Sequence, residues 1–118
     1  MSALISTEDY MRLPHVAPDV TYPYGADANQ YVDLYLPQGA GSYPVVIMLH
    51  GGCWGARYGA KPLGGLCRAL TQVGFAVWNV DYRRNGNGGG YPEFLLDVAH
   101  ATDLIRTAAS KHPLDLTR

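Results

Sequence analysis

The sequence predicts an α/β fold in which an antiparallel β-hairpin precedes a parallel β-α-β-α unit. Two continuous apolar runs, at residues 43–49 and 75–80, are typical of strands that a parallel sheet buries on both faces. A glycine-rich loop and a helical stretch separate the two runs, and a long amphipathic stretch follows the second. Because strands that alternate with helices form parallel sheets, we expect a mixed sheet flanked by helices.

The first 18 residues predict an N-terminal extension with one short helix. Ser6 has the side chain of a helix N-cap, and Glu8 and Asp9 place negative charge in the first turn. Pro14 then ends the helix.

The hairpin is predicted from residues 19–24 and 30–36, with turn residues between them. The first segment contains Pro23, which suits an edge strand. The second alternates polar and apolar residues up to Pro37. The hairpin therefore forms the antiparallel edge of the sheet.

Two helices complete the prediction. Residues 62–73 form the first, and Gly74 is placed to end it. Residues 91–111 form the longer one, because their apolar positions recur at three- and four-residue spacing. These positions are Phe94, Leu95, Val98, Ala101, Leu104, Ile105 and Ala108. A β-α-β-α order should next return to the sheet, but we expect no further strand in residues 114–118.

Composition excludes several classes of protein. The 118 residues are enough for one domain, and 47% hydrophobic residues indicate a globular one. The net charge of -1 comes without a basic patch, which argues against nucleic acid as a partner. The sequence has neither the apolar core of a secretory signal nor a stretch long enough to span a membrane, so we expect a cytoplasmic protein. Cys53 and Cys67 fit neither a disulfide framework nor a zinc site, and we expect two reduced, mostly buried thiols. No metal or organic cofactor is implied.

The main chemical signal is residues 50–54, His-Gly-Gly-Cys-Trp, directly after the first buried strand. Acyl transfer requires stabilisation of an oxyanion, and backbone N–H groups aimed at that oxygen provide it. Consecutive glycines let the backbone approach a substrate and adopt unusual dihedral angles. The same pattern also occurs in an ordinary strand-to-helix turn, and the motif alone does not separate the two.

The surrounding sequence resembles a known family. Residues 45–54, V-V-I-M-L-H-G-G-C-W, are similar to the H-G-G-x-W form of the esterase, lipase and arylformamidase branch of the α/β-hydrolases. The resemblance extends to Y-V-D-L-Y-L-P at residues 31–37, to N-V-D-Y-R at residues 79–83, and to Tyr91-Pro92 followed by Asp97, Ala101 and Asp103. It covers residues 22–118.

The resemblance implies roles for five residues. The amides of Gly51, Gly52 and Cys53 would form the oxyanion hole. The resemblance does not indicate which two of them dominate. His50 would orient the loop through its ring hydrogen bonds, and Trp54 would line the acyl or leaving-group pocket. The substrate would be a small-molecule ester or amide.

Other matched residues have structural roles by the same resemblance. We expect a structural role for Asp81, Tyr82 and Arg83, as polar residues at the end of a strand. Tyr91 and Pro92 are expected to fix the start of the long helix.

The sequence departs from this family in lacking the nucleophile. The family carries it in G-x-S-x-G, and none of the four serines, Ser2, Ser6, Ser42 and Ser110, has the flanking glycines. The acid and the histidine follow the nucleophile in that family. We therefore expect residues 1–118 to be one partial domain, the N-terminal half of an α/β-hydrolase fold. It comprises an extension (1–18) and a sheet-and-helix part (19–118) that ends before the nucleophile strand. Alone it should be inactive, and its exposed strand edge should favour self-association.

Two alternatives remain open. One is a non-catalytic half-domain that pairs with another chain. The other is a cysteine hydrolase, because residues 51–55 fit G-x-C-x-G with Cys53 at the nucleophile position. Against the second, the residues that follow, including Gly55 and Gly59, indicate a loop instead of the helix that a nucleophile elbow needs. His100 and His112 are its only downstream candidates for a base.

Overall fold

A computed structural model describes residues 4–118. In chain order its elements are α1 (Thr7–Met11), β1 (Val20–Pro23), β2 (Tyr31–Tyr35), β3 (Tyr43–Leu49), a 3-10 turn (Lys61–Leu63), α2 (Gly64–Gln72), β4 (Ala76–Val80), α3 (Glu93–Ala109) and β5 (Leu114–Asp115).

The strands form one mixed sheet in the order β1-β2-β4-β3-β5. β1 pairs antiparallel with β2, and β2 pairs antiparallel with β4. β3 pairs in parallel with β4 along five residues. The predicted edge hairpin, parallel unit and mixed α/β fold are therefore confirmed.

The core lies on both faces of β4, whose five residues are all buried. On one face Trp78 packs in a cluster with residues of α3, and its indole N–H donates to the Ala101 carbonyl at 2.9 Å. On the other face Val77 packs with Tyr35 and with Cys67 of α2. Burial of large side chains on both faces makes β4 the most firmly packed strand of the sheet.

The short helix α1 begins where the sequence predicts. The Ser6 hydroxyl accepts from the Asp9 amide at 3.1 Å, and the Asp9 carboxylate accepts from the Ser6 amide at 3.0 Å. This reciprocal pair is a capping box. Gly74 has φ +98° directly after the cap of α2, as its predicted role as a helix stop requires.

The prediction that no strand follows α3 is wrong. Leu114 and Asp115 form β5, which pairs in parallel with Tyr43 and Pro44 of β3. The chain returns to the sheet because Pro113 closes the helical segment and the Tyr43 amide donates to its carbonyl at 2.8 Å. The pairing covers only the start of β3.

The prediction that β3 is buried on both faces is also wrong. Ile47 is 41% exposed and Leu49 is 48% exposed. β5 does not reach these residues, so within residues 4–118 the carboxyl half of β3 has a strand on the β4 side only. The cysteine prediction holds for Cys67, which is buried, and fails for Cys53, which is exposed in the loop after β3.

Within residues 4–118, none of the helices combines the length and the apolar character needed to cross a membrane.

Candidate active site

The loops that follow β3 and β4 meet at one edge of the sheet. Carboxyl ends of adjacent parallel strands lie side by side, so His50 after β3 comes next to Asp81 after β4. This edge is where open α/β sheets place their ligand sites. All five residues that the sequence singled out lie in the first of these loops.

His50 anchors the start of the loop. Its side chain is completely buried, with Nδ1 at 2.9 Å from the Gly51 carbonyl and Nε2 at 3.1 Å from the Asp81 carboxylate. The Tyr82 ring stacks on the imidazole at 4.3 Å between centroids and 7° between planes. The Tyr82 hydroxyl also donates to the His50 carbonyl at 2.8 Å. Two residues of the β4 loop thus fix both the ring and the backbone of His50.

Arg84 completes this buried network. Its Nη1 donates to the Asp81 carboxylate at 2.6 Å and to the Tyr82 carbonyl. The Arg84 and Asp81 side chains are 4% and 5% exposed. A buried carboxylate held by a guanidinium has little freedom to move, so Asp81 presents a fixed acceptor to His50.

The backbone of the loop is wound in the left-handed region over three consecutive residues. Gly52, Cys53 and Trp54 have φ values of +116°, +52° and +58°. Each non-glycine residue in this conformation costs on the order of 1–3 kcal/mol, and such strain concentrates at functional sites. Hydrogen bonds hold the conformation: Gly55 N–H donates to the Gly52 carbonyl at 3.0 Å, and Asn85 N–H donates to the Trp54 carbonyl at 2.9 Å.

Position 52 requires glycine for a second reason. A Cβ at Gly52 would lie 2.4 Å from the Tyr58 ring, whereas a Cβ at Gly51 would meet no atom within 4 Å. Tyr58 therefore packs directly on the backbone of the loop, and Gly51 faces open space.

The amides of the loop are available to a ligand. Among the hydrogen bonds within residues 4–118, none uses the N–H of Gly51, Gly52 or Cys53 as donor. All three residues line a cavity of about 680 Å³. Its volume lies within the range of small-molecule sites. Its other lining residues are Ile5, Ser6, Thr7, Tyr10, Met48, Leu49, His50, Tyr58 and Leu63.

Trp54 is not among the described residues that line this cavity. Its ring stacks on Phe94 of α3 at 5.2 Å, and the residue is 51% exposed. It lines a smaller cavity of about 250 Å³ together with His50, Gly51, Cys53 and Tyr82. Gly51 and Cys53 therefore line both cavities, whereas Gly52 lines the larger one and Trp54 the smaller one.

The geometry around Cys53 differs from that of a nucleophile elbow. After Cys53 the chain continues as turns and a 3-10 turn, and α2 begins only at Gly64. The ring of His112, one of the two candidate bases, is engaged with the Tyr22 hydroxyl at 2.6 Å.

Sequence reasoning missed three residues that shape the loop. Arg84, Tyr58 and Asn85 come from distant or irregular segments, and no motif marks them. Asp81 and Tyr82 were expected to close a strand, but they also hold His50. Their position directly after a buried parallel strand was the signal that could have found them.

Arg83 has the structural role that the sequence predicts. Its amide and guanidinium donate to the buried Asp97 carboxylate at 2.9–3.0 Å, and Gln30 donates to the same group at 3.0 Å. Burial by itself raises the pKa of Asp97, but the hydrogen bonds from Arg83 and Gln30 outweigh it and hold that pKa below its ordinary value. This pair ties the β4 loop to α3.

Similarity to known proteins shows the family to which this chain belongs. The sequence profile of the BD-FAE family matches residues 32–118, which include the whole loop and β3 to β5. The chain belongs to the BD-FAE family. This family is esterase-like and related to the α/β-hydrolases, and the predicted resemblance is thereby confirmed. None of the curated proteins compared with the chain shows significant similarity to it.

Solved structures of esterases share this BD-FAE fold. A bifunctional GH43-CE protein from Bacteroides eggerthii is 31% identical over 81% of this chain and 14% of its own, with a TM-score of 0.68. A truncated carbohydrate esterase from gut microbiota is 25% identical over 84% of this chain and 37% of its own, with a TM-score of 0.64. An acetyl ester-xyloside bifunctional hydrolase from Caldicellulosiruptor lactoaceticus is 20% identical over 85% of this chain and 40% of its own, with a TM-score of 0.68, and shows likeness of fold. The chain spans well under half of each of these structures.

Proposed function

We propose that these 118 residues supply the oxyanion-binding loop of a hydrolase that cleaves carboxylic esters or amides. One observation carries the proposal: Gly51, Gly52 and Cys53 line a cavity and their amides donate to no other described group, in a loop held by a buried His50–Asp81–Arg84 network. A loop that serves only as a turn has no need for strained residues and unpaired amides.

The loop would act when a nucleophile attacks the carbonyl carbon of the substrate. The carbonyl oxygen then gains negative charge, and amides of Gly51, Gly52 and Cys53 donate hydrogen bonds to it. Because the contacts from Asp81 and Tyr82 fix the loop before substrate binds, the donors need no reorganisation during the reaction. This preorganisation lowers the energy of the tetrahedral intermediate relative to the bound ester.

The nucleophile, its histidine and the acid would lie outside these 118 residues. A serine would attack the carbonyl, and a histidine would take its proton and return it to the leaving group. None of the serines of the chain has the G-x-S-x-G setting. On its own, the 118-residue chain would therefore not turn over an ester.

A second candidate function is pairing with another chain through β3. The exposed Ile47 and Leu49 lie on the half of β3 that β5 leaves uncovered. An apolar strand edge of this kind favours β-pairing, and self-association is its simplest form.

A fluorophosphonate probe tests the hydrolase proposal. It should label the protein expressed from its own coding sequence at a serine outside residues 1–118, and that protein should hydrolyse p-nitrophenyl acetate. The 118-residue chain alone should take no label and show no rate above buffer.

Three results would contradict this proposal. Hydrolysis by the 118-residue chain that is lost in Cys53→Ser would support the cysteine alternative. Labelling of Ser42 or Ser110 would place the nucleophile inside the chain. The absence of both label and turnover in the protein from its own coding sequence would leave pairing as the better proposal.

A further inference from the structure

The cavity beside the oxyanion loop has a second wall, which comes from the N-terminal helix. Ile5, Ser6, Thr7 and Tyr10 line it together with residues 50–53 of the loop. These four residues precede the segment that matches the BD-FAE family, which begins at residue 32. The family resemblance therefore assigns nothing to this wall.

Tyr10 occupies a particular place in the wall. It lines the cavity of about 680 Å³ next to the loop and also a neighbouring cavity of about 500 Å³. Of the other described residues, only Leu63 lines both. The neighbouring cavity is otherwise bordered by Leu13, Pro14, Val16, Pro62, Gly65 and Leu66. The partly buried Tyr10 ring and the Leu63 side chain therefore form the partition between two apolar spaces.

The cavity next to the loop is suited to an uncharged group. Among residues 4–118 its lining includes no Asp, Glu, Lys or Arg, and Ile5, Met48, Leu49 and Leu63 supply apolar surface. Partial burial, and to a smaller extent the neighbouring Cys67, raise the pKa of Tyr10, which keeps its hydroxyl neutral.

We propose that Tyr10 is a specificity-determining residue that sets the length of the apolar substituent accepted beside the oxyanion loop. The inference rests on the proposed function, because a carbonyl oxygen held by the amides of residues 51–53 directs one substituent of the ester into this cavity. A chain that fills the cavity meets the Tyr10 ring at its end. Removal of the ring joins the two cavities and extends the space into a second apolar compartment.

The test compares p-nitrophenyl butanoate with p-nitrophenyl octanoate in the protein expressed from its own coding sequence. In Tyr10→Ala, the ratio of kcat/KM for octanoate to that for butanoate should rise about tenfold, since a single additional buried methylene changes discrimination by about tenfold or more. Tyr10→Trp should lower the same ratio. Leu13→Ala is the matched control: Leu13 is also on the N-terminal segment, but it lines only the second cavity. A ratio within about twofold of wild type in both Tyr10 variants would overturn the inference.

A binding measurement separates this inference from the proposed function. The non-hydrolysable ketone 2-decanone should bind the protein, shift the amide resonances of residues 51–53 in an NMR titration, and bind Tyr10→Ala with a changed Kd. Such binding without any ester hydrolysis would contradict the proposed function and leave the pocket assignment standing. Hydrolysis that responds to changes in the loop but not to either Tyr10 variant would overturn the role of Tyr10 alone.

Discussion

Strands β3 and β4 have similar apolar sequences, yet they differ in how far the fold buries them. Each is a short apolar run followed by polar or glycine-containing sequence. β4 has helices on both faces and a paired strand on each side, and all five of its residues are buried. β3 has a full neighbour on the β4 side only, and its carboxyl half exposes Ile47 and Leu49.

The difference shows that burial of a strand depends on its neighbours more than on its composition. It also explains how the loop after β3 is held. The loop leaves β3, the less covered strand, but its anchors Asp81, Tyr82 and Arg84 follow β4. Residues that follow the buried strand β4 thus fix the geometry of the loop that follows β3.

The sharpest test of the comparison is a pair of large-to-small substitutions. Trp78→Ala in β4 should lower the free energy of unfolding by about 3–5 kcal/mol, because it empties a buried site and removes the indole hydrogen bond to the Ala101 carbonyl. Ile47→Ala in β3 should cost less than about 1 kcal/mol, because the side chain is already partly in water. Urea unfolding of both variants measures this. Equal losses would remove the distinction between the strands.

The contact between the β4 loop and α3 should depend on pH. Asp97→Asn should lower the free energy of unfolding by about 1–3 kcal/mol at pH 7, because Arg83 loses its charged acceptor. The pKa of Asp97 is lower in the folded protein than its ordinary value, so this contribution is present above about pH 4 and is lost as pH falls through the folded pKa.

Urea unfolding of wild type and Asp97→Asn between pH 3 and 7 tests this dependence. The difference between the two proteins should be constant at the upper end and shrink at the lower end. A difference that grows on acidification would contradict the assigned direction of the pKa shift.

A smaller effect is expected from the Tyr82 hydroxyl. Tyr82→Phe keeps the ring stacked on His50 but removes the donor to the His50 carbonyl, which should cost about 1 kcal/mol of stability. Tyr43→Phe is the control, since the Tyr43 hydroxyl donates to the Gln38 and Gly39 carbonyls in an exposed turn. If contacts from the β4 loop hold His50 in place for catalysis, Tyr82→Phe should also slow ester hydrolysis by the protein expressed from its own coding sequence, and Tyr43→Phe should not.

Substitution in the carboxyl half of β3, which β5 does not cover, should have the smallest effect on stability. It should have the clearest effect on assembly. Ile47→Lys should leave the free energy of unfolding within about 1 kcal/mol of wild type, because the position is partly exposed. It should shift the 118-residue chain from self-associated to monomeric species in sedimentation velocity, since charges on an edge oppose strand pairing. A wild-type chain that is monomeric at all concentrations tested would contradict pairing through β3.

Much of this fold could be predicted from the periodicity of apolar residues and from the residues that begin and end helices. The α1 cap at Ser6 and the stop at Gly74 depend on local chemistry, and the sequence locates both. The exposure of Ile47 could not be predicted, because it depends on how far β5 extends along β3. Sequence patterns carry hydrophobicity but not the length of a neighbouring strand.

For the candidate site, the glycines and His50 could be found and their supports could not. Gly51 and Gly52 stand in a recognisable pattern after a strand. Tyr58 and Arg84 act through side-chain contacts across the fold, and such contacts leave no periodic trace. The left-handed φ of Cys53 is set by the surrounding hydrogen bonds, since cysteine itself does not prefer that conformation.

The central claim is that the backbone of the loop after β3 stabilises the oxyanion in an ester hydrolase, and two glycine substitutions test it directly. Gly52 and Gly74 both have positive φ, +116° and +98°, so alanine strains the backbone at either position. A Cβ at Gly52 also displaces the loop from Tyr58, whereas one at Gly74 meets nothing. In the protein expressed from its own coding sequence, with rates normalised to the folded fraction, Gly52→Ala should reduce kcat/KM for p-nitrophenyl acetate by about 100-fold or more relative to Gly74→Ala. A Gly52→Ala rate within about threefold of Gly74→Ala would contradict the account, because an oxyanion loop does not tolerate that displacement.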